Sequence, residues 1–367
     1  MPSKSIRHLT RLPLYLFLQP AIRPSTTITI IHHALRAPKP RYLSSSTPYH
    51  IRKSPTNNRH NGFTTEPPKH TSTRTKFTGS DAPPLSFWET YARPPLVPPD
   101  TVTPEACHTA CKQYVSLALE NLPNWQRRCP SLFTLQYVIL VLMNSPGSTA
   151  LAMHITHTLV SLDYAPAILS LAYLGFRSGQ LESNIHLTQA KQGLERLSSL
   201  TPPNRSSSSS STYRADALTL AGLIAASRQT PKDDTRALNL FTEASTAFTS
   251  SATAQWQWRA SAVLAEGKIH ARRSRPDLAR AVYAAHAREL DNADVLYAYA
   301  MLLERTDPAR VPMLERAAVS ACAGAAREMA RVELERAEDA GLSKGERYVR
   351  RVLADEWLRI AGEKEAA

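Results

Sequence analysis

Acidic residues are missing from the start of this chain. No Asp or Glu precedes Glu66, and the first 80 residues hold 13 Lys and Arg against that one acid. Residues 81–367 hold 31 basic and 30 acidic residues, so the net charge of +13 belongs almost wholly to the leader. A near-neutral body argues against nucleic acid as the partner. Glycine is scarce, 12 of 367, and no glycine-rich phosphate loop is present, which argues against the nucleotide-binding α/β folds. Cysteine is scarce too, at Cys107, Cys111, Cys129 and Cys322. Cys107 and Cys111 stand four apart beside His108, but a tetrahedral metal site needs four ligands and no second pair has ligand spacing. No metal is therefore expected, and the cysteines read as buried thiols, with a disulfide as the lesser alternative. The most apolar run, Leu132–Met143, has 12 residues, whereas a membrane span needs about 20. It reads as a buried helix, which leaves only peripheral membrane association open.

Catalytic patterns are also missing. His154 and His157 lie three apart with Asp163 nearby, but no glycine-framed nucleophile accompanies them, so they read as helix-surface histidines. No cofactor is expected, and the chain reads as non-enzymatic. Arg272, Arg273 and Arg275 form the one dense basic run of the body. They read as a solvated turn, with contact to phosphate or anionic lipid as the lesser alternative.

The leader itself carries an address. Arg7, Arg11, Arg23, Arg36 and Arg41 are spread among apolar residues in a segment rich in Ser, Thr and Pro. That is the composition of a mitochondrial transit peptide. A positive segment moves down a membrane potential worth about 2.3 kcal/mol per charge per 100 mV, which acids would oppose. A secretory signal would have to use Leu12–Leu18, which Pro13 interrupts. The stretch Arg41-Tyr42-Leu43-Ser44 resembles the processing pattern of the matrix protease. The resemblance implies cleavage between Leu43 and Ser44, a transit peptide over 1–43, and residence in the matrix or on the matrix side of the inner membrane.

Residues 44–104 read as a disordered linker, because Pro83, Pro84, Pro94, Pro95, Pro98, Pro99 and Pro104 block helix and sheet ladders. Within it Phe87, Trp88 and Tyr91 form an aromatic cluster, and a strap packed on the folded body stays open as the alternative.

From residue 105 the chain becomes rich in Ala and Leu with helical spacing, and an all-α fold is expected. A pattern of small residues at positions one, three and eight recurs at Ala165/Ala167/Ala172, Ala215/Ala217/Gly222, Ala260/Ala262/Gly267, Ala293/Val295/Ala300 and Ala323/Ala325/Ala330. These positions share one side of a helix, where small side chains admit a close partner. In three units an acid, Asp233, Asp277 or Asp307, stands before a second helix, placed to cap its free amides. Such helix–turn–helix units bury their apolar faces only by stacking, which predicts an α-solenoid. The unit Ala215–Ser245 resembles a Sel1-like repeat, a relative of the tetratricopeptide repeat, with Gly222, Ala237, Leu238, Phe241 and Ala244 on the signature positions. In place of that family's Gly-rich loop stand Ser227–Pro231 and, in the next unit, Arg272–Pro276. Gly222, Ala237, Phe241, Ala244, Gly267 and Ala281 are the expected repeat-packing residues.

The expected organisation is a helical region over 105–197, a flexible insert over 198–212 containing Ser206–Ser211, and repeats over 213–367 closed by a capping helix, Lys344–Lys364. Tyr348, Val352 and Trp357 lie on that helix's apolar face. Trp256 and Trp258 are the candidate partner-binding side chains. The expected function is a mitochondrial scaffold or adaptor that binds protein, in assembly of an inner-membrane or translation complex. The alternatives are an organellar RNA-binding repeat protein and a helical enzyme without a recognisable motif.

Overall fold

The computed structural model describes residues 78–94, 96–98, 101–145, 148–199, 212–249 and 256–362. The leader with Arg41, Leu43 and Ser44, the linker as far as residue 77, and Ser206–Ser211 lie outside the described residues. Among the described residues there are fourteen α-helices and no strand.

The first helix corrects the linker expectation. Residues Leu85–Tyr91 form α1, with Pro84 at the N-cap, so the prolines flank this helix and leave its ladder intact. Trp88 is fully buried and its indole Nε1 donates to the Pro83 carbonyl at 3.1 Å. Ala92 and Val97 are buried as well. A large aromatic surface removed from water is enough to hold this strap on the body.

The N-terminal region continues with α2 (Pro104–Glu120), α3 (Leu132–Met143), α4 (Thr149–Ser161), α5 (Ala165–Arg177) and α6 (Thr188–Ser199). Pro104 opens α2, and the Thr103 hydroxyl accepts from the Ala106 amide at 3.2 Å. Nine residues of α3 are buried, which explains a sequence that is apolar on every side.

Helices then come in pairs: α7 (Arg214–Ser227) with α8 (Pro231–Thr249), α9 (Arg259–Arg272) with α10 (Pro276–Leu290), α11 (Ala293–Ala300) with α12 (Arg310–Val319), and α13 (Ala323–Ala337) with α14 (Lys344–Ile360). The first helices also pack serially, α5 on α7, α7 on α9 and α9 on α11. The third and eighth positions of all five small-residue patterns are buried: Ala167, Ala172, Ala217, Gly222, Ala262, Gly267, Val295, Ala300, Ala325 and Ala330. A Cβ on Gly222 would come within 2.5 Å of the Phe241 ring, and one on Gly267 within 2.2 Å of the Tyr283 ring. Each glycine therefore lets an aromatic side chain of the second helix lie directly on the first.

Two details of the second helices differ from expectation. Thr230 caps α8: its hydroxyl accepts from the Asp233 amide at 3.1 Å and donates to the Asp233 carboxylate at 2.7 Å. Ala281 is exposed. Its expected place is taken by Ala279, which is buried with Tyr283 and Ala287 along one stripe of α10, as Ala237, Phe241 and Ala244 are buried along α8. Asp277 lies in the first turn of α10 without fixing which face is buried. The glycine-to-ring contact sets that face.

Residues 198–212 do not divide the packing. α7 rests on both α5 and α6, and Ala217, Leu220 and Trp258 belong to one core with Trp88, Tyr114 and α3. Two further clusters follow, one around Ala237 and Phe241 and one reaching from Val263 to Met329.

Candidate functional site

The tryptophan pair joins helix pairs together. Trp258 is 2% exposed and lies against the Tyr173 ring, with centroids 5.4 Å apart. Its backbone amide donates to Asp216 Oδ1 at 2.9 Å. Trp258 is therefore corrected from a surface candidate to a core residue. Trp256 is half-buried, and its indole Nε1 donates to Thr219 Oγ1 at 2.8 Å. The Arg259 guanidinium sits 5.7 Å from the Trp256 ring and 5.8 Å from that of Phe248, while forming a fork to Glu289 at 2.6 and 2.7 Å. This ring is also occupied, so both tryptophans hold the 256–258 segment on α7. Burial raises the Asp216 carboxyl to about 7, against hydrogen bonds from the Trp258 and Gln257 amides that lower it.

The basic run is likewise engaged. Arg272 and Arg273, expected to be solvated, both pair with the buried Asp234 at the start of α8. Arg273 also donates to the Pro231 carbonyl and Thr235 Oγ1, each at 2.7 Å. The end of one helix pair's first helix thus clamps the second helix of the pair before it. Arg228 to Glu182 at 3.4 Å and Arg316 to Asp291 at 2.6 Å join other neighbouring segments.

The histidines are half-buried rather than superficial. His154 Nδ1 is 2.6 Å from the Tyr114 hydroxyl, and its ring stacks on Trp125 with centroids 6.3 Å apart. Burial, then the neighbouring His157 charge, holds His154 below the usual imidazole value. Cys107 and Cys111 are free thiols pushed by burial up to about 12, which keeps them protonated and unreactive. Among the described residues, no three His, Cys, Asp or Glu side chains gather as metal ligands, and no helix is long and apolar enough to cross a membrane.

The exposed feature that stands apart is on α14. Ser343 and Glu346 close a capping box at its start, which satisfies free amides of its first turn. Ala354 is its one buried residue, and Trp357 is turned half inward. Arg350 reaches the buried Glu333 of α13 at 2.8 Å. The outer side then presents Tyr348, Val349, Val352, Leu353 and Ile360, with Tyr348 69% exposed. A capping helix is expected to carry a polar outer face; this one does not, because its inward face uses a small alanine and an arginine and leaves larger apolar residues outside. The spacing of Tyr348 and Val352 already signalled an apolar stripe, although its direction was not encoded locally.

Comparison with protein-family models, with curated proteins and with solved structures found no match.

Proposed function

We propose that the protein is a mitochondrial α-solenoid scaffold of Sel1-like repeats that binds another protein without catalysing a reaction. The observation that carries this reading is the apolar row on α14. Rows of this kind dock amphipathic helices through anchors spaced one turn apart. Tyr348, Val352 and their neighbours have that spacing on one accessible face. The occupant is an amphipathic helix of a partner protein. The serial packing of helix pairs supports a solenoid, and engagement of Arg272 and Arg273 by Asp234 supports a protein partner over RNA. The acid-free leader supports mitochondrial import, with the transit peptide ending at Leu43.

Proximity labelling from the full chain inside mitochondria tests this. The expected result is a reproducible labelled protein set that is lost from a Tyr348→Ser/Val352→Asp variant with an unchanged melting temperature. A reporter carrying residues 1–43 is expected to enter the matrix and lose the leader. Unchanged labelling by the variant would remove α14 as the docking face. Recovery of a specific transcript, with capture falling steeply as salt rises, would replace the scaffold with an RNA-binding protein.

A further inference from the structure

The N-terminal region holds a cavity, open to solvent on one side, that the docking reading does not use. Its volume is about 410 Å³, within the range of roughly 300–1,000 Å³ typical of small-molecule sites. It lies between the end of α3, one side of α4, α5, and the turn leading from α5 to α6. Met143, Met153, Leu171, Leu174 and Leu187 form its apolar wall. Methionine is unbranched and adapts to guests of varied outline.

The polar side of the cavity has a definite character. Its ionisable side chains are two imidazoles, His157 from α4 and His186 from the turn. Among the described residues the lining has no carboxylate, lysine or arginine. His157 is half-buried and lines the cavity together with His186, so its ring is placed to meet a guest. Burial, then the charge of His186, keeps His157 below the usual imidazole value and favours its neutral form. The opening turn of α4 also borders the cavity through Thr149 and Ala150, and Ser148 makes no side-chain cap. Unsatisfied amides at that end of a helix favour negative charge. An anionic guest would meet donors and no competing acid, and would draw a proton onto an imidazole.

We propose that this cavity binds a small monocarboxylate with an apolar chain, its carboxylate between His157 and His186 and its chain against Met143, Met153, Leu171 and Leu174. A cationic amphiphile finds no counter-charge there. A neutral alcohol of equal length gains the apolar contacts and loses the charged hydrogen bonds. The site is separate from the α14 face, so the failure of either leaves the other standing.

Calorimetric titration of the full chain with decanoate, decanol and decylammonium at pH 7.5 tests the assignment. Decanoate should bind saturably, once per chain, with proton uptake seen as a heat that depends on the buffer. Decanol should bind about tenfold more weakly without proton uptake, which corresponds to about 1.4 kcal/mol. Decylammonium should not bind. His157→Gln and His186→Gln should each weaken decanoate about tenfold and lower the proton uptake, and the exposed position of His186 keeps that arm usable if the first variant folds poorly. Leu174→Trp, which fills the cavity, should abolish binding. Equal affinity for alcohol and acid, unchanged decanoate affinity in both histidine variants, or no saturable decanoate binding would each overturn the proposal.

Discussion

At the scale of the residue, Gly222 and Gly267 make a direct test of the helix-pair packing. Gly222→Ala would press a methyl group into the Phe241 ring, and Gly267→Ala into Tyr283. Each is expected to cost about 1–3 kcal/mol by overpacking. Gly345, at the second residue of α14, has nothing within 4 Å of its Cβ direction. Gly345→Ala should therefore stabilise by about 0.5–1 kcal/mol through helix propensity. Thermal melts of the three variants check the contrast, and equal shifts would refute it. Asp216 makes a pH prediction. Burial lifts its carboxyl from 3.8 to about 7, so the folded chain holds the proton more tightly than the unfolded chain does. Its contribution to stability is greatest below pH 4, declines as pH rises toward 7, and is level above that. Asp216→Asn keeps an oxygen for the Trp258 amide and cannot ionise. The variant should lose most of the decline between pH 4 and 7, a difference on the order of a few kcal/mol read by denaturant titration. A parallel pH profile in the two proteins would exclude Asp216 as the source.

At the scale of the element, the joint between α8 and α9 is a buried carboxylate held by two arginines. Asp234 is almost fully buried, whereas the Arg272 and Arg273 side chains keep about a third of their surface, so solvent screens the pair in part. Asp234→Ala should cost about 2–3 kcal/mol, since it leaves two guanidinium groups short of a partner. In a double-mutant cycle with Arg272→Ala, the coupling should be about 1–2 kcal/mol. Coupling near zero would show that the arginines merely lie close to the acid. Elements of this kind were partly legible beforehand. Small residues at positions three and eight reported their burial because helical period and side-chain size are local properties. The direction of Trp258 was not legible, because it depends on a hydrogen bond to Asp216, 42 residues earlier. The register of α10 slipped for a related reason: Asp277 is in the first turn of α10 without setting which face meets α9. The strap α1 was visible as aromatics amid prolines, but only its tertiary contact distinguishes it from a linker. The cavity was illegible, since three helices and a turn create it and no local period records their separation.

At the scale of the whole molecule, the core around α3 gathers residues from Trp88 to Trp258. Cutting the backbone between residues 199 and 212, through an inserted protease site, should therefore leave two pieces that co-elute and melt in one transition. Separate elution, or two resolved transitions, would mean that the Ser-rich segment joins independent domains. The same shared core has a consequence in time. A chain delivered from its N-terminus presents α3 long before Trp258 can reach Tyr173. Over that interval the most apolar helix of the protein waits with part of its shelter missing, and exposed surface of this kind invites aggregation. Contacts so distant along the chain also close slowly. The nascent protein should need a holding chaperone until about residue 258 has arrived, and a chain stopped at residue 250 should never be released from it.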